Sequence, residues 1–191
     1  MRKKVIAYTV FGAVLSLLAL SVDAGKQPSV DGDRVEFSLA DLDGAIVESS
    51  EDQFTDRVLL ITLWATWCPP CLTEIPTFID LQERYGERGL TVVAIAFESV
   101  DDPTERREML QEFASEQKIN YLVLDGGPPA EFETALPMLK GVRGFPVEIL
   151  VDRSGRVVEA RNGYGYKKKW ARKLNEELEA LLGPGSSAEA P

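Results

Sequence analysis

The chain contains no histidine and only two cysteines among its 191 residues. The first absence excludes a Ser-His-Asp triad, a Cys-His dyad, His-ligated zinc and a histidine general base. Proton transfer is left to carboxylates, thiols, lysine, tyrosine or water. Two cysteines allow one internal disulfide, too few for a disulfide scaffold. Basic residues are also scarce: 21 Lys and Arg face 31 Asp and Glu, a formal charge of −10. That balance argues against nucleic acid or an anionic membrane surface as the main partner, because both need clustered cations. Gly163-Tyr164-Gly165 lacks the downstream Gly and Lys of a phosphate loop, and no cofactor is expected. What is present is an ordinary globular stock, 45% hydrophobic and 27% charged. It suffices for one domain with tails.

Residues 1–24 read as a targeting segment. Arg2, Lys3 and Lys4 precede a mostly apolar run from Val5 to Leu20, and Val22-Asp23-Ala24 follows. Small or apolar residues therefore stand at −3 and −1 of a cut after Ala24, the layout of a secretory signal peptide. An uncleaved membrane anchor is the alternative reading, although the run is shorter than the ~20 residues that span a bilayer comfortably. Cleavage removes three basic residues and Asp23, which leaves 18 basic against 30 acidic residues, net −12. Export implies a compartment in which disulfides persist.

Residues 25–34 read as a flexible lead-in, 35–182 as the folded domain and 183–191 as a disordered tail. Val35 to Val47 predicts a β-hairpin around Asp41-Leu42-Asp43-Gly44. Val58 to Ala65 is nearly all apolar, as for a strand buried on both faces. Pro70 to Tyr85 has helical spacing, stopped by Gly86 and Gly89. A second buried strand is expected from Leu90 to Phe97, a helix from Pro103 to Gln117 and a short strand from Tyr121 to Leu124. After the break at Gly126-Gly127-Pro128-Pro129, Ala130 to Leu139 reads as a short helix interrupted at Pro137. Pro146 to Val151 and Arg156 to Arg161 form a hairpin, and Lys167 to Leu182 is the last helix. Strands joined through helices are parallel and the final hairpin antiparallel, giving a mixed central sheet with helices on both faces.

Trp67-Cys68-Pro69-Pro70-Cys71 lies where a buried strand turns into a helix. The first amides of that helix are unpaired and favour a thiolate at Cys68. Pro69 and Pro70 occupy positions where a helix start needs no N–H donor. Cys71, one turn in, is close enough to bridge Cys68. The chemistry that follows is attack of the Cys68 thiolate on a substrate disulfide and resolution of the mixed disulfide by Cys71. A structural bridge and a metal pair are the other readings. The first would close almost no loop and stabilise little; the second lacks further Cys or His ligands, and no metal is expected.

The segment LLITLWATWCPPCLTEIP resembles the thioredoxin-like fold and, within it, the exported TlpA/ResA-like disulfide reductases. The resemblance covers roughly Val35 to Leu182. It implies an α/β thioredoxin-like domain with an N-terminal β-hairpin extension and a short helical insert before a cis-proline. Pro146, in Gly144-Phe145-Pro146-Val147, matches that cis-proline; an ordinary trans turn proline is the alternative. Glu74 matches the acid that these reductases carry three positions after the second cysteine. At i, i+3 it shares a face with Cys71 and could accept or relay its proton; a solvated glutamate without a role is the other reading. The resemblance further implies a reductant of disulfides in exported client proteins, with cytochrome c maturation as one setting. It also implies a membrane thiol-electron donor and a location in the bacterial periplasm, either free or anchored through residues 1–24. A monomer is expected.

Two departures stand out. Thioredoxin carries a buried Asp six residues before the first cysteine, and here that position is Thr62, which cannot act as a base. Phe145 makes the groove formed with Trp67 and Pro69 bulkier and more apolar. Glu148 shares a strand face with Pro146, and a carboxylate there is costly unless paired or protonated. It is expected beneath Cys71, standing in for the acid missing at Thr62; pairing with a Lys or Arg, or reaching water near the sheet edge, is the alternative. Trp170 is expected to pack in the last helix. A peroxiredoxin-type peroxidase and a client-binding or chaperone module are the competing functions. The C-P-P-C pair weighs against the first, and client binding that survives loss of both cysteines would mark the second.

Overall fold

A computed structural model describes residues 28–30, 34–162 and 167–183. The expected targeting segment 1–24 and the tail beyond Gly183 lie outside the described residues, as does part of the lead-in. Among the described residues no helix is long and apolar enough to cross a membrane.

Nine strands and five α-helices make up the described chain. β1 (Ser29–Val30), β2 (Ser38–Asp41) and β3 (Ile46–Glu48) precede β4 (Val58–Trp64). Then come α1 (Pro69–Leu72), α2 (Ile75–Tyr85), β5 (Leu90–Ala96), α3 (Pro103–Gln117) and β6 (Leu122–Asp125). α4 (Phe132–Ala135), β7 (Leu139–Lys140), β8 (Val147–Val151), β9 (Val157–Asn162) and α5 (Lys167–Leu182) complete it. The main sheet runs β3-β2-β6-β5-β4-β8-β9, with β4, β5 and β6 parallel and the remaining neighbours antiparallel. The expected mixed sheet and N-terminal hairpin are both there. Within the lead-in, Ser29–Val30 is a strand rather than flexible chain, because β1 pairs with β7.

The run Pro70 to Tyr85 is two helices, not one. Pro76 has no N–H and its ring crowds the carbonyl four residues back, that of Leu72, where α1 ends. Gly89, at φ +104°, then turns the chain into β5. α3 starts where Asp102 Oδ1 accepts from the amides of Thr104 and Glu105, both at 2.9 Å. The helical insert is shorter than expected, a 3₁₀ turn at Pro129–Glu131 running into α4.

Right-handed crossovers that step the same way across a sheet place their helices on one face. β4-α2-β5-α3-β6 does so. The face bearing Val58, Leu60 and Val92 packs on Phe78 and Leu81 of α2 and on Leu174 and Leu178 of α5. Toward the strand ends, Trp64, Ala94 and Val123 pack on Leu110 of α3. The opposite face, with Leu59, Ile61, Leu63 and Ile95, is covered by Phe37, Phe54, Leu136 and the Phe132–Ala135 turn. Helices therefore lie on both faces, the three long ones together and α4 opposite them.

α5 is tied to the end of α2 through Glu179, which accepts from Arg88 at 2.8 Å and from the Tyr85 hydroxyl at 2.7 Å. The Arg88 hydrogen bond, then that of Tyr85, holds the Glu179 carboxyl down to about 2. A carboxyl lower in the folded than in the unfolded chain stabilises at pH above its unfolded value and loses that contribution as pH falls. Glu179→Gln should therefore flatten the part of the acid-induced stability loss between pH 4.5 and about 2, read by denaturant melts across that range. At Gly126 a Cβ would lie 2.7 Å from the buried Phe97 ring and 2.9 Å from the Ala96 carbonyl. Gly126→Ala should therefore destabilise by about 1–3 kcal/mol in urea unfolding, as overpacking does; an unchanged midpoint would show that Phe97 can move aside.

Candidate active site

β4 is buried along all seven residues and leaves the sheet at Trp64. The chain then turns, with the Cys68 amide donating to the Ala65 carbonyl at 3.2 Å. Cys68 is the N-cap of α1, and Pro69 and Pro70 supply its first, donor-free positions. Cys68 and Cys71 form a disulfide, with Cα atoms 5.3 Å apart. The Cys71 amide points at Cys68 Sγ at 3.4 Å. With only four residues in α1, this amide, rather than the dipole of a long helix, is the donor that favours a thiolate at Cys68. Both cysteines are buried, whereas Pro69 is exposed and Trp67 is 52% exposed. The site therefore presents an aromatic rim above nearly enclosed sulfurs.

The Phe145–Pro146 peptide is cis, as the resemblance implied. β8 runs antiparallel to β4 with Val147 opposite Leu63, so the start of one strand adjoins the end of the other. Pro146 thereby comes up beside the turn that carries Cys68. Phe145 packs against the cluster that holds both cysteines and lies 6.1 Å from Trp67, ring centre to ring centre. It also stacks on Phe97 at 5.4 Å, with the planes 12° apart. Trp67 and Phe145 are thus in ring contact beside the cysteines, and exposed Pro69 follows Cys68 directly.

Among the described residues three glutamates are buried. Glu74 is 1% exposed. It lies between α1 and α2, its amide donating to the Cys71 carbonyl at 3.0 Å. Burial pushes the Tyr121 hydroxyl up, and the Glu74 charge adds to that shift. Tyr121, Thr62, Trp64 and Phe78 line a cavity of about 10 Å³ under Cys71, room for no more than one water. Thr62 Oγ1 and Trp64 Nε1 have no hydrogen-bond partner there among the described residues.

Glu148 corrects one expectation. It sits opposite Thr62 in the β4–β8 ladder and is 1% exposed, but it is not among the residues that line the cavity under Cys71. Its carboxylate accepts from Arg161 Nε at 2.7 Å and from Trp170 Nε1 at 2.6 Å. Burial raises its pKa, and Arg161 draws it partly back. The physical reason is on the neighbouring strand: β9 places Arg161 directly across from Glu148, a cation that a buried carboxylate takes in preference to a neutral cavity. Trp170 packs as expected, edge-on to Phe78 at 5.9 Å. Arg161 was not anticipated as a partner, since cross-strand register is invisible in composition.

The third acid, Glu98, was not singled out from the sequence, nor was Thr66. The Glu98 carboxylate accepts from the Thr66 amide at 2.5 Å and from its hydroxyl at 3.0 Å. The available signal was position: Glu98 follows an apolar strand at its carboxyl end, where α/β sheets build their sites. Among the described residues no group of three or more Cys, Asp or Glu side chains gathers as a metal site.

A disulfide at the start of a helix, with a cis-proline at the adjoining strand end and an aromatic rim, is suited to thiol-disulfide exchange. Relatives agree. The thiol:disulfide interchange protein DsbE of Allochromatium vinosum is 28% identical over 185 residues, 95% of this chain and 93% of that one. The thiol-disulfide oxidoreductase ResA of Bacillus thuringiensis subsp. konkukian is 24% identical over 135 residues, 70% and 69% of the two chains. In fold, the chain is similar to a crystal structure of a thiol:disulfide interchange protein of the thioredoxin family from Chlorobium tepidum. That match has a TM-score of 0.63, with 24% identity, covering 81% of this chain and 99% of that one. Residues 29–178 match the Redoxin family model. With that match over the whole sheet and the Cys68–Cys71 pair at its end, the chain belongs to the Redoxin family and is a thioredoxin-like thiol-disulfide oxidoreductase.

Proposed function

We propose that this oxidoreductase works as a reductant of disulfides in exported client proteins. The observation that carries the reading is the buried Glu74 beside Cys71. A strong disulfide oxidant owes its high potential to a stabilised thiolate in its reduced form. Here the donor in place for Cys68 Sγ is the Cys71 amide, and a buried carboxylate nearby disfavours further negative charge. The dithiol is therefore the costlier state, and electrons flow outward to a client.

In the forward step the Cys68 thiolate attacks one sulfur of the client disulfide and expels the other as a thiolate. Cys71 loses its proton to Glu74 and attacks Cys68 Sγ, releasing the second client sulfur. Two electrons pass to the client, and Cys68 and Cys71 end as the disulfide. A dithiol donor must then reduce that disulfide; a membrane thiol-electron carrier suits a protein exported under residues 1–24, cleaved or retained as an anchor. Trp67, Pro69 and Phe145 form the client groove, with Pro146 aligning the client backbone. Cytochrome c maturation, where an apoprotein's haem-binding cysteine pair must be reduced, is the setting that the TlpA/ResA-like resemblance favours. Glu148, held by Arg161 and Trp170, braces β8 and α5 rather than moving protons.

Equilibration of the Cys68–Cys71 pair with a thiol buffer, followed by Trp fluorescence, tests the direction. A potential at or below about −220 mV is expected, and one near about −120 mV would make the protein a disulfide donor instead. Cys68→Ser should abolish client reduction. Glu74→Gln should slow disulfide exchange about tenfold or more near neutral pH. Stopped-flow rates from pH 5 to 9 that matched the parent at every point would remove Glu74 from the mechanism.

A further inference from the structure

Phe97 and Glu98, the two residues after β5, stand between the two walls of the cysteine site. Phe97 faces one wall: its ring stacks on Phe145, next to the cis peptide. Glu98 faces the other. β4 and β5 are parallel with Trp64 beside Ala96, and continuing that register by two residues brings Thr66 beside Glu98. The Glu98 carboxylate takes both Thr66 donors, the amide at 2.5 Å and the hydroxyl at 3.0 Å.

Glu98 is itself braced from behind. Its amide donates to the Gly127 carbonyl at 3.1 Å. The Gly127 amide donates to Asp125 Oδ1 at 3.0 Å, and Arg106 of α3 holds the same oxygen at 2.6 Å. Arg106 also donates to the Val100 carbonyl at 2.6 Å, closing the strand-to-helix turn that follows Glu98. An acid that is 2% exposed carries a desolvation cost, which those two Thr66 donors offset. Burial still pushes its carboxyl up. An apolar residue at 98 would avoid that cost but would leave the Thr66 amide without this acceptor.

We propose that Glu98 is a positioning residue for Cys68. By clamping Thr66 it fixes the turn from Ala65 to Cys68, so that the sulfur is held opposite the Phe145–Pro146 peptide. Glu98 touches neither sulfur; it acts through Thr66, with Phe97 setting the facing wall from the adjoining position. The inference rests on disulfide exchange at Cys68–Cys71 and is independent of the direction of electron flow.

The test uses the full chain and its Glu98→Gln, Glu98→Ala and Thr66→Val variants, with oxidised glutathione as the probe disulfide. Exchange rate per folded molecule and the Cys68–Cys71 potential are read beside a thermal melt. Gln keeps the shape, its carbonyl accepting from the Thr66 amide and its NH₂ donating to the hydroxyl. Glu98→Gln is therefore expected within about twofold of the parent, and Glu98→Ala about tenfold slower with a shifted potential, as for one buried donor left unmade. Thr66→Val, which loses only the hydroxyl, should fall between them. Should Glu98→Ala keep pace with the parent, or Glu98→Gln fall as far as Ala, the clamp is overturned. If Glu98→Ala does not fold, Thr66→Val decides: an unchanged rate and potential overturn the clamp, and a slowed rate supports it. A parent chain that exchanged no disulfide would overturn the activity itself, and the clamp with it.

Discussion

The site depends on β4 being paired on both edges. Its seven residues are all buried, with parallel β5 on one side and antiparallel β8 on the other. A strand held that way cannot slip by one residue without moving its whole apolar set to the wrong face. Its last residue is thus fixed in space, and Cys68 follows four positions later. Because β8 runs the opposite way, its first residue lies beside that same end, bringing the cis-proline to the cysteines. Because β5 runs the same way, Phe97 and Glu98 arrive there as well. Three segments distant in sequence meet at the carboxyl end of one strand.

Burial of acids is the second theme. Glu74, Glu98 and Glu148 are each 1–2% exposed, in a chain with an excess of carboxylates. A buried carboxylate is kept only where donors compensate its lost hydration. Glu148 has Arg161 and Trp170, and Glu98 has Thr66. With no histidine in the chain, the titratable side chains near the site are carboxyls, thiols and Tyr121. The division of labour follows distance along the fold. Glu74 lies three residues from Cys71, Glu98 acts on the approach to Cys68, and Glu148 is taken up by the far edge of the sheet.

The readable parts of this protein were local ones. The C-P-P-C spacing, the apolar run of β4, the hairpin turn at Asp41–Gly44 and the helix from Pro103 each depend on residues within a few positions of one another, and each is present. The break between α1 and α2 was legible too, in Pro76, but the surrounding apolar spacing outweighed it. The β1–β7 pair was not legible, since two-residue strands carry no periodicity. The partner of Glu148 was missed for a related reason. The alternation that placed its side chain on the buried face was correct, but which group waits there depends on the register of β9 against β8.

Sequence alone determined the chemistry: two cysteines at helix-start spacing, no histidine to assist them and an acid one turn on. These are covalent and short-range facts, set by bond geometry and the helical repeat. Tertiary structure alone decided which partners the buried carboxylates meet. Thr66 and Glu98 lie 32 residues apart, and Glu148 and Trp170 lie 22 apart. Such pairs exist only once strands have chosen neighbours and register, a choice made by the packing of the whole sheet rather than by any segment of it.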